Sequence, residues 1–165
     1  MSKMSYYQVI QNAMNIYYNR DQYAYFYGAK GQVLTDSVMT ALVKCEPEYF
    51  SRYNPLQMKQ IFDFSRGKVG LDCSGFVNAC TGQTNYSTGY YTDTLNKTDP
   101  VHGKEGSLLY TTWNGKGRHV GLDIGYGYYL DFRKEGESCH FGRIKETEWE
   151  HSRRMNLHDS SLSDN

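Results

Sequence analysis

The sequence predicts an α+β domain, with helices in the first half of the chain and strands in the second. In the first half, apolar residues recur at helical spacing, for example at Val9, Ala13 and Tyr17, so one face of a helix is buried. After residue 106, short strand-like segments are separated by glycines, which is typical of strands joined by turns. Helices followed by strands favour the α+β class over an alternating α/β arrangement.

Four helices are predicted, each delimited by a capping residue, a proline or a glycine. Side chains such as Thr35 and Asn54 accept a hydrogen bond from the first turn of a helix, and a proline directly after the cap fits the first helical position. The predicted helices run from Tyr6 toward Gly28, from Thr35 to before Pro47, from Asn54 to Gly67, and from Cys73 to Gly82.

Three strands are predicted in the second half of the chain, with a further short strand after them. The segment before them, from Thr84 to Gly106, is rich in Thr, Asn, Gly and Tyr and is interpreted as a long loop. We expect a single domain at 1–157 and a disordered tail at 158–165, where Ser and Asp predominate. The predicted strands are Ser107–Thr112, His119–Ile124, Tyr128–Arg133 and a short one around Phe141–Ile144.

Composition excludes several classes of partner. The chain has 165 residues, with 18 Lys and Arg against 18 Asp and Glu, so it lacks the basic character typical of nucleic-acid binding. No apolar stretch approaches the ~20 residues of a spanning helix, which excludes membrane insertion. The first residues also lack the basic and apolar regions of a secretory signal. We therefore expect synthesis in the cytoplasm without a signal peptide.

Cys73 is the best candidate for a catalytic nucleophile. The four cysteines have neither the spacing of a zinc site nor that of a disulfide framework, so free thiols and no metal are expected. Cys73 stands directly before the apolar helical run Phe76–Cys80, which places its sulfur at a helix N-terminus. There the unpaired N–H groups and the helix dipole favour thiolate over thiol. A buried structural cysteine is the alternative interpretation, and it fits Cys80 well.

His119 is the best candidate for the base that a thiolate nucleophile needs. Of the five histidines it alone begins a clear strand. Val120 and Leu122 alternate toward a core, so His119 lies on the opposite face of that strand. Gly121, next to His119, leaves room there for another side chain or for substrate.

Asp131 is the candidate for the third residue, which orients the base. Asp123 shares the face of His119, but it lies roughly 13 Å further along the strand, which is too far to hold the ring. Asp131 lies nearly opposite His119 if the hairpin loop contains an odd number of residues. A two-residue loop at Tyr126-Gly127 would put the two side chains on opposite faces. The triad thus requires an odd loop, and a solvent-facing hairpin aspartate is the alternative interpretation.

The motifs Asp-Cys-Ser-Gly-Phe-Val, Gly-Ser-Leu-Leu-Tyr and His-Val-Gly-Leu-Asp-Ile-Gly, in this order, resemble those of the NlpC family of cell-wall cysteine peptidases. An upstream segment, Tyr-Phe-Tyr-Gly, is similar to a further motif of that family. The resemblance implies a papain-like, circularly rearranged fold, with N-terminal helices packed on a small antiparallel sheet and the nucleophile at a helix N-terminus. It implies Cys73 as nucleophile, His119 as base and Asp131 as the third residue.

The resemblance also implies a set of substrate-binding residues. Tyr25 is expected beside the nucleophile, and Asp72 and Ser74, which flank the nucleophile, are expected to line the groove. The chain departs from the family at the third residue, which is most often histidine, and at Ser107, where aspartate is usual. The connection at 31–67 is far longer than usual and is interpreted as a helical insertion, either a wall of the groove or a plain structural addition.

The resemblance implies a cysteine hydrolase without a cofactor that cleaves amide bonds in peptidoglycan stem peptides or muropeptides, commonly the γ-D-glutamyl to diamino-acid bond. The thiolate would form an acyl-enzyme that water hydrolyses. The alternatives are an N-acetylmuramoyl amidase, an acyltransferase or deamidase on the same fold, and a wall-binding protein without activity. We expect action on the bacterial cell wall after phage- or contact-mediated delivery, and an intracellular recycler of wall fragments is the alternative interpretation of a sequence without a signal peptide.

Overall fold

The structure is a computed structural model that describes residues 4–93, 104–146 and 149–155. In these ranges, mixed helices and sheets confirm the predicted α+β class. The helices are α1 Tyr6–Tyr18, α2 Asp36–Cys45, α3 Pro47–Phe50, α4 Pro55–Ser65, α5 Cys73–Thr81 and α6 Thr88–Asp93. The strands are β1 Tyr23–Tyr25, β2 Lys30–Val33, β3 Val69–Leu71, β4 Ser107–Trp113, β5 Lys116–Gly125, β6 Tyr128–Asp131, β7 His140–Arg143 and β8 His151–Arg154.

The helix N-termini follow from their capping side chains. The Ser5 hydroxyl accepts a hydrogen bond from the Gln8 backbone amide, and the Ser5 backbone amide donates one to the Gln8 side chain. These two hydrogen bonds form a capping box. Thr35 caps α2 with a single hydrogen bond, which its side chain accepts from the Val38 amide. Asn54 and Gln57 form a second capping box before Pro55, so α4 begins where the sequence predicts.

A five-stranded antiparallel sheet carries one wall of the site. Its strand order is β7-β6-β5-β4-β8, and the last of these strands was not predicted from the sequence. Helix α5 packs against β5, and α1 packs against α5, so α5 is covered on both sides. The core between these elements consists of Val9, Phe76, Val77, Leu108, Val120, Leu122, Leu130 and Phe132, among others.

The hairpin between β5 and β6 has a loop of two residues, Tyr126 and Gly127. Both have positive φ, 58° and 84°, as a tight turn of the primed type requires. The requirement for an odd loop, stated above from the sequence, is therefore wrong.

A β-bulge in β5 provides the one extra residue that the triad geometry requires. Gly125 pairs with Tyr128, but Asp123 pairs with Tyr129, so the strand β5 carries one extra residue between these two pairs. A shift of one residue moves every following side chain to the other face. Asp131 consequently points to the same side of the sheet as His119.

A second sheet, absent from the sequence prediction, positions Cys73. Strand β3 runs parallel to β1 and antiparallel to β2, and α5 follows β3 after the single residue Asp72. Each of these strands has only three or four residues, too few for an alternating pattern to be recognised. The N-terminus of α5 is therefore held at the end of the central strand of this sheet.

The chain between β2 and β3 contains α2, α3 and α4, where the sequence predicts a helical insertion at 31–67. These helices enclose a second apolar cluster, listed here by its buried members: Ala24, Phe26, Ala29, Leu34, Met39, Phe50 and Ile61. This segment therefore packs around Phe26, directly after β1.

The segment predicted as a long loop from Thr84 to Gly106 contains the short helix α6. Residues 94–103 of that segment, and the predicted tail at 158–165, lie outside the described residues. Within the parts of the chain that are described, no helix has the length and apolar character needed to cross a membrane.

Candidate active site

The Cys73 thiol lies at the first residue of α5. Asp72 is the N-cap, and its Oδ1 accepts a hydrogen bond of 2.7 Å from the Gly75 amide. By helix geometry, the first-turn amides of Cys73 and Ser74 have no intrahelical acceptor, and they belong to the same helix end as the sulfur. The Sγ atom lies 3.2 Å from Thr88 Oγ1 on α6.

The His119 ring is held by Asp131. Its Nε2 lies 2.8 Å from Asp131 Oδ2, which leaves Nδ1 as the ring nitrogen available to the thiol. Asp131 is 2% exposed, so the alternative interpretation of a solvent-facing hairpin aspartate does not hold. His119 and Asp131 lie on adjacent strands that the bulge in β5 brings into register.

The proton affinities of Cys73 and His119 shift in opposite directions. Burial raises the pKa of the Cys73 thiol, but the hydrogen bond and charge of His119 outweigh it, so that this pKa lies below its usual value. Burial lowers the pKa of His119, whereas the hydrogen bonds to Asp131 and Cys73 raise it to about 9. These shifts favour a thiolate–imidazolium ion pair near neutral pH.

Trp149 covers the pair of His119 and Asp131. Its ring stacks on the His119 ring with centroids 5.4 Å apart and planes inclined by 12°. A Cβ atom on Gly121 would lie 2.9 Å from the Trp149 ring and 3.2 Å from Asp131 Cβ. The space expected beside Gly121 is thus filled by Trp149, which limits the access of water to the hydrogen bond.

Asp72 and Ser74 are bound by a lysine. Lys30 Nζ lies 2.6 Å from both carboxylate oxygens of Asp72 and 2.8 Å from Ser74 Oγ. Lys30 belongs to β2, so this contact ties the second sheet to the first turn of α5. Both residues predicted to flank the groove are therefore fixed beside Cys73.

Tyr25 lies in the same buried cluster as Cys73. Burial, and after it the negative charge of a Cys73 thiolate, raise the pKa of Tyr25, so its hydroxyl stays protonated. The neighbouring Tyr27 is more exposed and stacks on Tyr49 from α3, with ring centroids 3.9 Å apart. The helical segment thereby reaches the surroundings of Cys73.

The structure brings together all six residues singled out from the sequence, but four further neighbours were missed. Thr88 lies in a helix of Thr, Gly and Tyr that has little helical character in sequence. Lys30 and Trp149 are placed by contacts between segments far apart in the chain. His140 could have been found only from the register of β7, which pairs it with Asp131.

No metal site accompanies this arrangement in the described parts of the chain, where no group of three or more His, Cys, Asp or Glu side chains is placed to bind an ion. The polar groups around Cys73 contact one another instead. The arrangement consists of a thiol, an imidazole and a carboxylate in series.

Several solved structures share the fold. The NlpC/p60 domain of the peptidoglycan hydrolase SagA is 18% identical, with 92% of this chain and 100% of that chain covered at a TM-score of 0.55. The peptidoglycan hydrolase RipB from Mycobacterium tuberculosis is 16% identical, with 90% and 65% covered at a TM-score of 0.53. NlpC1 from Trichomonas vaginalis is 13% identical, with 88% and 43% covered at a TM-score of 0.52. No protein of curated function matches the sequence.

A family model, described as the NlpC/P60 family, matches residues 59–156. This range covers more than half of the chain and contains Cys73, His119 and Asp131. The structural matches confirm the papain-like α+β fold that the sequence motifs imply. The chain belongs to the NlpC/P60 family.

Proposed function

We propose that this chain is a cysteine hydrolase that cleaves amide bonds in the stem peptides of peptidoglycan, with Cys73 as nucleophile, His119 as base and Asp131 as the residue that orients the base. The proposal rests on one observation above all: a buried thiol at a helix N-terminus beside a histidine that a carboxylate holds at 2.8 Å. Family membership and the fold shared with SagA and RipB, both named as peptidoglycan hydrolases, support the substrate class.

The proposed reaction begins when the Cys73 thiolate attacks the carbonyl carbon of the scissile amide. A C–S bond forms, and the resulting oxyanion is stabilised by the amides of Cys73 and Ser74 at the start of α5. The His119 imidazolium then donates its proton to the leaving nitrogen, and the C–N bond breaks. The products of this half-reaction are a free amine and a thioester on Cys73.

Hydrolysis of the thioester completes the cycle. His119, now neutral, accepts a proton from a water molecule, and the water oxygen attacks the thioester carbon. The C–S bond breaks, a carboxylic acid leaves, and the thiolate–imidazolium pair is restored. Asp131 keeps the ring in one orientation through both half-reactions because its hydrogen bond to Nε2 persists.

The substrate groove is proposed to be bordered by Tyr25, Asp72 and Ser74, which surround Cys73. Within the substrate class we favour an endopeptidase, of which the γ-D-glutamyl to diamino-acid bond is the leading target, and the site of action would be the bacterial cell wall. An N-acetylmuramoyl amidase would release the whole stem peptide from the glycan instead. The masses of the products distinguish these two activities.

The test is mass spectrometry of peptidoglycan fragments after incubation with the wild type, Cys73→Ala and Cys45→Ala. We expect new stem-peptide products from the wild type and from Cys45→Ala, and none from Cys73→Ala. Cys45→Ala is the control because it removes an exposed thiol at the end of α2. Absence of products from all three across several wall types would overturn the proposed substrate class. Equal products from Cys73→Ala would overturn the assignment of the nucleophile.

A further inference from the structure

The Asp131 carboxylate contacts two histidines, one on each oxygen. Oδ2 lies 2.8 Å from His119 Nε2, and Oδ1 lies 3.0 Å from His140 Nδ1. The Asp131 side chain is 3% exposed, whereas those of His119 and His140 are about one quarter exposed. A buried carboxylate needs hydrogen-bond donors to remain ionised, and both histidines supply one.

The position of His140 follows from the pairing of β7 with β6. Asp131 and His140 are direct partners across β6 and β7, so their Cβ atoms lie on one face of the sheet. A carboxylate only accepts hydrogen bonds, so the Nδ1 atom of His140 must carry a proton. This N–H group holds Oδ1 and prevents the carboxylate from rotating away from His119.

We propose that His140 is a positioning residue, which holds the Asp131 carboxylate so that the His119 ring presents its free nitrogen to Cys73. In metal sites, residues that hydrogen-bond to a metal ligand orient that ligand in the same way. The electrostatics agree with the geometry: burial raises the pKa of Asp131, but the hydrogen bonds from His119 and His140 lower it below its usual value. Without His140, the Asp131 carboxylate would keep His119 as its one histidine donor and would be free to rotate.

The outer edge of His140 opens to a cavity, so a substituted side chain has space there. The cavity has a volume of about 500 Å³. The ring of Tyr129 also lies beside the histidine, with centroids 5.6 Å apart. The charged groups around the cavity are Arg20, Asp21, Lys68, Arg133 and Glu137.

The test measures the alkylation of Cys73 by iodoacetamide between pH 4 and 10, with Cys45→Ser as the background to remove the exposed thiol. His140→Leu removes the donor, whereas His140→Asn keeps an N–H group near the position of Nδ1. We expect the midpoint of the alkylation profile of Cys73 to rise by about one pH unit in His140→Leu, so that the rate falls about tenfold at pH values below both midpoints. His140→Asn should restore most of the rate.

Two controls separate positioning from a general loss of structure. His151→Leu removes a histidine from β8, at the opposite edge of the same sheet, and should leave the alkylation profile unchanged. If His140→Leu does not fold, as judged by circular dichroism, His140→Phe keeps the ring shape without the donor. A pH profile of His140→Leu or His140→Phe that matches the wild type would overturn the proposal, even if the variant melts at a lower temperature.

The inference rests on the nucleophile–base pair of the proposed function but not on its substrate. Iodoacetamide reacts with a thiolate without any recognition of peptidoglycan. If wild-type Cys73 reacts no faster than a free thiol at pH 6, the nucleophile–base pair itself is wrong. If the wild type reacts fast and His140→Leu equally fast, only the role of His140 is wrong.

Discussion

At the residue scale, the charges on Cys73 and His119 stabilise each other against the effect of burial. Burial alone disfavours both charged forms, since it raises the pKa of a thiol and lowers that of an imidazole. In this site the net shifts go the other way, with the Cys73 pKa lowered and the His119 pKa raised to about 9. Asp131 contributes to the raised pKa of His119 through its hydrogen bond to Nε2, the ring nitrogen on the side away from the thiol.

These shifts predict a bell-shaped dependence of kcat/KM on pH. Below the pKa of Cys73 the sulfur is protonated and cannot attack, so activity rises as pH increases through that value. Above about 9 His119 loses the proton that the leaving amine needs, so activity falls. Asp131→Asn removes a negative charge that raises the His119 pKa, so the falling limb should move to lower pH and kcat at pH 7 should drop about 10²-fold.

Asp123→Asn is the matched control for this prediction. Asp123 is also buried on the sheet, but its Oδ1 accepts a hydrogen bond from the Gly125 amide inside the bulge. We expect the pH limits of kcat/KM to stay at their wild-type values in this variant, although its stability falls. A falling limb that is unchanged in Asp131→Asn would show that Asp131 does not set the proton affinity of the base.

At the element scale, the junction between β3 and α5 depends on one lysine from β2. Asp72 caps α5 and carries a negative charge next to the sulfur, and this charge raises the pKa of Cys73. Lys30 neutralises it through two contacts of 2.6 Å and also holds Ser74. The side chains of Lys30 and Asp72 are 22% and 12% exposed, so water screens this pair only in part.

Lys30→Met should therefore affect both stability and reactivity. We expect the free energy of unfolding, measured by urea denaturation, to fall by about 1–3 kcal/mol because a shielded charge loses its partner. The pH midpoint of Cys73 alkylation should move upward, because the carboxylate of Asp72 would then face the thiolate unneutralised. Lys30→Arg, which retains the cation, should keep the midpoint closer to that of the wild type.

Lys59→Met provides the comparison with an exposed lysine–aspartate pair. Lys59 Nζ lies 2.7 Å from Asp63 on α4, but the side chains are 72% and 49% exposed. Such a surface pair contributes little to stability, because water screens both charges. Equal losses of stability in Lys30→Met and Lys59→Met would contradict the view that burial gives the Lys30 contact its importance.

At the scale of the whole molecule, the parts predicted from the sequence are those with local patterns. The caps Thr35 and Asn54 mark helices because their hydrogen bonds lie within one turn. The motif around Cys73 and the strand of His119 likewise depend on near neighbours. The three strands of the smaller sheet are too short for periodicity, and the bulge between Asp123 and Gly125 changes a register that local pattern alone does not specify. Contacts such as that of Trp149 with His119 depend on the complete fold.

The segment of α2, α3 and α4 is attached to the rest of the molecule through a buried glutamate. Glu135 Oε1 accepts hydrogen bonds of 2.7 Å from the hydroxyls of both Tyr49 and Tyr53, and Oε2 accepts one of 3.0 Å from the Tyr27 amide. Burial and the hydrogen bond to Glu135 raise the pKa of Tyr53 to about 12, so its hydroxyl remains a donor over the physiological range. Glu135 is 7% exposed.

Glu135→Gln should loosen this attachment. Glutamine has a single acceptor oxygen, which can face either the two tyrosine hydroxyls or the Tyr27 amide, so in either orientation its NH₂ group replaces an acceptor that a buried donor needs. Leaving such a group unpaired costs about 1–3 kcal/mol, and we expect the free energy of unfolding to fall by that amount. Hydrogen exchange of the amides in α3 should accelerate more than that in α1, because α3 carries Tyr49, a partner of Glu135, whereas α1 packs against α5.

Glu137→Gln tests whether burial is the cause. Glu137 lies two residues further on and pairs with Arg133 at 2.9 Å, but its side chain is 31% exposed and that of Arg133 is 43% exposed. This change should cost less than about 0.5 kcal/mol and leave the exchange in α3 at the wild-type rate. If both glutamine variants unfold at the same urea concentration as the wild type, the three hydrogen bonds on Glu135 do not hold the segment. In that case the apolar cluster around Phe26 and the stacking of Tyr49 on Tyr27 must attach the segment of α2, α3 and α4.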